Sequence, residues 1–140
     1  MFWDSSALVP CLVPEARSRE IASRLRSDQE VALWWASPVE CQSALFRQHR
    51  EDALPRPLLN EALVRLEGLV EDVDFIAPSN RVRERAGRLL AAHPLRAADA
   101  FQLAAALVWC DEAPRGETFV CLDERLSAAA RREGFAVLPG

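Results

Sequence analysis

Short apolar runs alternate along this chain with longer stretches whose apolar residues recur at helical spacing. The runs Met1–Asp4, Val31–Trp35, Val73–Ile76, Thr118–Leu122 and Ala136–Leu138 are brief and mostly aromatic or β-branched, which predicts strands. Helices are expected between them, over Pro14–Ser27, Ser37–Arg50, Pro55–Val70, Asn80–Ala92, Arg96–Cys110 and Glu124–Glu133. Ile21, Ala22 and Leu25 mark one face of the first, and Leu58, Leu59, Ala62, Leu66 and Leu69 one face of the third. Pro94 stops the arginine-rich helix, and Gly134 ends the last. Strands separated by helices imply an α/β class: three layers, α/β/α, around a parallel sheet of about five short strands. Residues 1–140 read as one domain, without repeats, low-complexity tracts or long linkers.

The chemistry follows from that topology. In a parallel sheet the strand C-termini share one edge, where the following helices begin and ligands bind. Asp4 closes the first strand, and Asp123 directly follows the fourth. Glu40 lies in the first turn of the helix after the second strand, and Asp99 near the start of the helix before the fourth. Each acid also has a purely structural reading. Asp4 and Asp123 suit helix N-caps, and Glu40 completes a Ser37-x-x-Glu40 capping box with Pro38 near the helix start. Asp99 could answer the helix N-terminus or pair with Arg96. Capping does not require the four to share an edge, however. Nor does it explain a carboxylate beside the apolar stripe that includes Leu103 and Ala106.

Charge and cysteine usage narrow the chemistry. All 17 basic residues are arginine, and the net charge is −4, so a basic surface does not advertise a nucleic-acid binder. Bound cations would bring phosphate in instead. Cys11, Cys41, Cys110 and Cys121 form no C-x-x-C pair and lack ligand spacing to His49 or His93, which argues against zinc. No apolar run reaches the ~20 residues of a membrane span, and Asp4 interrupts an N-terminus with no basic stretch before it. The expectation is a cytoplasmic protein without membrane association. Two carboxylates ~4 Å apart repel by about 4 kcal/mol at an effective dielectric near 20. Four together therefore call for a cation, and oxygen-only donors favour Mg²⁺ or Mn²⁺. Such an ion acidifies a bound water and neutralises a phosphodiester transition state without a His or Lys base.

The segments carrying these acids resemble the PIN domains, especially the VapC-like toxins of bacterial toxin–antitoxin pairs. Phe2-Trp3-Asp4-Ser5-Ser6-Ala7-Leu8-Val9 is similar to their opening strand and D-x-S/T-A-L motif, and Ser37–Leu45 to a second motif centred on glutamate. Leu95–Leu107 resembles their L-R-x-x-D-A-x-x-L-A-A-A-L helix, and Val120–Leu126 their T-x-D-x-R-L strand end. The resemblance implies that Asp4, Glu40, Asp99 and Asp123 hold one or two divalent metals, with Ser6 as a supporting hydroxyl. It further implies RNA cleavage, a homodimer and a cognate antitoxin whose tail covers the active site. Cys121 stands where that motif carries threonine, which bears on a supporting hydrogen bond rather than on a ligand.

Trp34 and Trp35 offer aromatic surface for RNA bases, although neighbours in a strand face opposite ways and one belongs to the core. Arg81, Arg83, Arg85 and Arg88 read as a solvated helix face, whereas Arg96, Arg115 and Arg125 sit nearer the acidic edge and suit RNA-backbone contacts. The apolar faces of the first helix and of Pro55–Val70 suit either the core or a partner helix. A dehalogenase-like phosphatase would need an acid where Ser6 stands, and a receiver module would need a phosphoacceptor Asp where Ala77-Pro78 stands and a late lysine. The nearer alternatives are a stand-alone RNA-processing PIN nuclease and a non-catalytic PIN interaction module.

Overall fold

Alternation of side chains across very short strands organises this molecule. The computed structural model describes every residue from Met1 to Gly140. Five strands, β1 (Phe2–Trp3), β2 (Ala32–Trp34), β3 (Asp74–Ile76), β4 (Thr118–Val120) and β5 (Ala136–Leu138), form one sheet in the order β3-β2-β1-β4-β5. Every pairing is parallel, with Phe2 opposite Ala32 on one side and Phe119 on the other. Because successive side chains point to opposite faces, Phe2, Ala32, Trp34 and Phe119 enter one hydrophobic core. Trp3, Leu33 and Val120 enter the other. A sheet buried on both faces needs helices on both.

One layer holds α5 (Asn80–Ala92), α6 (Ala97–Trp109) and α7 (Glu124–Glu133), whose Val82, Leu89, Leu103 and Leu126 pack on the Phe2 face. The other holds α1 (Ser5–Leu8), α2 (Ser18–Ser27), α3 (Ser37–Arg50) and α4 (Arg56–Leu69), whose Leu8, Ile21, Leu45 and Leu59 pack on the Trp3 face. This is the three-layer α/β/α architecture expected from the sequence. The apolar faces of α2 and α4 serve the core, since Ile21, Leu59, Ala62 and Leu66 are buried there. No helix is long and apolar enough to cross a membrane.

Three local expectations need correction. The helix expected from Pro14 starts only at Ser18, because the Ser18 hydroxyl accepts from the Glu15 amide (2.7 Å) and donates to the Val13 carbonyl (3.0 Å). Those side-chain bonds hold the preceding residues in a turn. The short α1, continued by a 3₁₀ turn over Val9–Cys11, is missing from the expected helices, although the N-cap reading of Asp4 implied a helix start there. The arginine face of α5 is not simply solvated either. Arg81 pairs with Asp111 at 2.7 Å. The largely buried Arg85 pairs with Glu112 and, at 2.8 Å, with Glu133, which also meets His93 at 2.7 Å. This cluster ties α5 to the end of α7.

The chain runs β1 to β2 to β3 on one side of the sheet and continues through β4 and β5 on the other. The order therefore reverses between β1 and β4, which leaves a crevice at their C-terminal ends.

Candidate active site

Asp4 and Asp123 stand at that crevice, one just past β1 and the other just past β4. The backbone fixes the first of them. The Asp4 amide donates to the Val120 carbonyl at 2.9 Å, extending the β1–β4 pairing by one residue. Its carboxylate Oδ2 accepts from the Ser6 amide at 3.0 Å and the Ser6 hydroxyl at 2.5 Å. The Ser6 Oγ in turn accepts from the Leu122 amide at 2.9 Å, so one hydroxyl links the ends of β1 and β4. The expected supporting role of Ser6 has a concrete geometry here. Cys121 keeps the contact placed in doubt by the missing threonine: its Sγ lies 3.6 Å from Asp4 Oδ2 and 3.5 Å from the Asp123 carbonyl.

Glu40 and Asp99 approach from the two helical layers. Glu40 Oε1 accepts from Gln102 Nε2 at 2.8 Å, and Oε2 accepts from the Ser5 hydroxyl at 3.4 Å. The expected Ser37–Glu40 capping box does not form. Ser37 already lies inside α3, Ala36 is the N-cap without a side-chain bond, and the Ser37 hydroxyl accepts from Gln102 at 2.9 Å. A fully buried carboxamide must find acceptors, and it takes both from the start of α3. Asp99 sits in the first turn of α6, half-buried, and the Arg96 ion pair considered from the sequence is absent: none of the four acids forms a salt bridge. The capping reading is right for Asp4 and Asp123, which hold the Ser6 and Leu126 amides. Each spends one oxygen that way and leaves the other without a hydrogen-bond partner in the protein.

Asp4, Ser6, Glu40, Arg47, Asp99 and Asp123 line one cavity of about 390 Å³. The sequence-identified acids are thus brought together. Burial raises the Asp4 carboxyl above its ordinary range, and the charge of Asp99 adds to the effect against the Ser6 bonds. Burial, then the charges of Asp4 and Asp99, push Glu40 up to about 7 despite its bonds from Gln102 and Ser5. Asp99 is raised by burial and by Asp123, with Arg96 and Arg125 opposing. The protein has gathered negative groups that no arginine pairs with directly, although Arg47 shares their cavity and Arg96 and Arg125 lie near Asp99.

A hard divalent cation suits this donor set, which is oxygen only and already partly desolvated. The four acids share the cavity, but no three acidic, histidine or cysteine side chains stand close enough together to form a ligand cluster.

Of the arginines expected to meet an RNA backbone, Arg96 and Arg125 line a second cavity of about 680 Å³ that shares Asp99 and Asp123 with the first. Arg115 does not join them. It lies in the turn leading into β4, at the opposite edge of the sheet, beside Gly116. Proximity in sequence to Asp123 was misleading because a strand separates the two. Sequence reasoning missed Arg47 and Gln102. Arg47 is two helical turns beyond Glu40, hence on its face of α3. Gln102 was visible as the one polar residue in the run Ala100–Val108.

The sheet order and the crevice at its switch point define a three-layer α/β domain with acidic side chains at the ends of its central strands. The sequence profile of the PIN domain matches residues 1–132, and the chain belongs to that family. Two solved structures share the fold. FitAcB from Neisseria gonorrhoeae aligns with a TM-score of 0.65 and 18% identity, covering 97% of this chain and 94% of that one. VapC20 from Mycobacterium tuberculosis, a sarcin–ricin loop cleaving toxin, aligns with a TM-score of 0.65 and 21% identity, covering 96% of this chain and 95% of that one. No curated protein matches the chain by sequence.

Proposed function

We propose that this PIN domain is an Mg²⁺- or Mn²⁺-dependent endoribonuclease that hydrolyses RNA phosphodiester bonds, acting as the toxin of a toxin–antitoxin pair. The observation that carries the reading is the convergence of four carboxylates, none paired with a cation, at the crevice where the sheet order reverses. An interaction module has no use for such a concentration of uncompensated charge, and the non-catalytic alternative is set aside on that ground.

Asp4, Glu40, Asp99 and Asp123 are the residues that would hold the metal. When bound, the ion would acidify a water and neutralise charge on the phosphoryl oxygens. The chain's own groups do the positioning. Ser6 and Cys121 fix the Asp4 carboxylate, and Gln102 and Ser5 fix that of Glu40. Arg47 on one side of the acids, and Arg96 and Arg125 on the other, are placed to take flanking phosphates and set the strand's direction across the crevice. RNA as substrate and toxin as role rest on the motif resemblance and on the likeness in fold to a toxin that cleaves the sarcin–ricin loop. The cognate antitoxin and the homodimer belong to the same reading.

The purified chain is expected to cut RNA with Mg²⁺ or Mn²⁺ and to stop in EDTA, while Asp99→Asn stays folded and inactive. Full cleavage in EDTA, or by Asp99→Asn, removes the mechanism. Induced expression in a bacterial host should arrest growth with the wild type but not with Asp4→Asn. Cleavage in vitro without arrest would favour the stand-alone RNA-processing enzyme.

A further inference from the structure

Next to the acidic cavity lies a second one of different chemistry. It has a volume of about 560 Å³ and is walled by Trp34, Trp35 and Phe101, with Ser79, Asn80 and Arg83 at its polar side. Glu40 lines both cavities, so the two adjoin at its side chain. A volume of this size falls within the ~300–1,000 Å³ of small-ligand sites.

Its aromatic wall is unusually placed. Trp34 and Phe101 stack in parallel, with centroids 5.6 Å apart and planes 1° from each other. Trp34 is 7% exposed and belongs to the core, whereas Trp35 is 59% exposed. The Trp35 amide donates to the Ile76 carbonyl at 3.1 Å, which anchors its backbone to the end of β3 while the ring stands free. More than half of Trp35 is left in water beside a charged cleft, and a planar ligand would cover that apolar surface.

The polar side is equally specific. Arg83 has no carboxylate partner, unlike Arg81 and Arg85, and is held instead by the Asn80 carboxamide oxygen at 2.7 Å. That bond leaves the Asn80 amide protons free. The Ser79 hydroxyl, which accepts from the Val82 amide at 3.2 Å, keeps its own proton to donate. An aromatic wall, hydrogen-bonding groups at one rim and an unpaired guanidinium match the face, edge and phosphate of a nucleotide.

We propose that this cavity receives one unstacked nucleobase of the RNA, next to the phosphate that meets the acids. Trp35 is its stacking platform, and Arg83 holds the adjoining phosphate. The proposal rests on the ribonuclease reading and deepens it by adding a base-selecting subsite reached through Glu40.

The test uses the full chain carrying Asp4→Asn, so that bound RNA is not consumed, with Mg²⁺ and a labelled hexaribonucleotide. The probe is compared with six versions, each lacking a different base. Loss of one particular base should weaken binding roughly ten-fold, within the range for a single stacked base. Adding Trp35→Ala should abolish that dependence while leaving the affinity for the abasic probe unchanged, and Trp35→Phe should restore it. The proposal is overturned if no base matters or the probe does not bind. It is equally overturned if Trp35→Ala keeps the same penalty, or if that substitution instead dissociates a dimer in sedimentation. Cleavage by the Asp4-intact chain is followed in parallel. Cleavage without base dependence removes the subsite alone, and base-dependent binding without cleavage removes the nuclease alone.

Discussion

Replacing Glu40 with glutamine should stabilise the metal-free protein while destroying its activity. Burial and two neighbouring carboxylates raise the Glu40 carboxyl from 4.5 to about 7. A raised acid is one whose ionised form the fold disfavours, so the sign is a cost. Below pH 4.5 the group is protonated in both folded and unfolded chains, and nothing is lost. Between 4.5 and about 7 the unfolded chain ionises first, and stability falls as pH rises; above about 7 the whole cost applies. Taken at face value the shift corresponds to about 3 kcal/mol. The side chain keeps contact with solvent, and screening reduces this to about 1–2 kcal/mol.

Glutamine removes the charge and keeps one acceptor oxygen, so it retains the bond from Gln102 and gives up the longer one from Ser5. It also adds a donor, and Gln102 Oε1 is buried with no partner. With an unfolding entropy near 2 cal/mol/K per residue, the gain corresponds to a Tm rise of roughly 3–7 °C in EDTA at pH 8. Calorimetry at pH 8 and pH 5 should show that rise shrinking towards zero at the lower pH. Mg²⁺ should raise the Tm of the wild type and have little effect on the variant. A lower Tm at pH 8, or a gain independent of pH, would refute the account of Glu40 as a desolvated, uncompensated acid.

Asp4→Asn should abolish RNA cleavage in a gel assay with a Tm within a few degrees of wild type, because asparagine caps a helix as well as aspartate does; a collapse in Tm would assign Asp4 to structure alone. Ser6→Ala strands the Leu122 amide and frees Asp4, and should cost about 1–3 kcal/mol in denaturant unfolding together with most of the activity. Burial would lift Glu133, but its bonds to His93 and Arg85 outweigh this and hold the carboxyl below its ordinary 4.5. A depressed acid stabilises above its unfolded value and loses that contribution as pH falls through the folded one. Glu133→Gln should therefore be less stable than wild type near pH 7 and converge with it as the pH falls through the depressed carboxyl value in urea titrations.

Much of this architecture was legible in the sequence because its elements are strongly periodic. The bounds of α5 and α7 follow from the Ser79 and Asp123 caps, from Pro94 and from Gly134, and the start of α3 is marked by Pro38. Four residues carry no period, so only the Asp4 side chain closing on the Ser6 amide declares α1. The acids were legible because topology alone sends them to one edge. Side-chain bonds between layers were not: Gln102 abandons the local pattern to span α6 and α3, and Arg85 reaches residues 27 and 48 positions away. Arg115 shows the converse error, in which closeness along the chain concealed the length of a strand.

The central strand has a consequence for the order of events during folding. β1 is only two residues long, and it pairs Phe2 with Phe119, so the middle of the sheet closes only when distant segments meet. Closing a loop of that length is slow and comes late. Until it closes, Asp4 and Asp123 are not yet neighbours across the crevice. The acidic cavity is therefore a property of the finished fold alone.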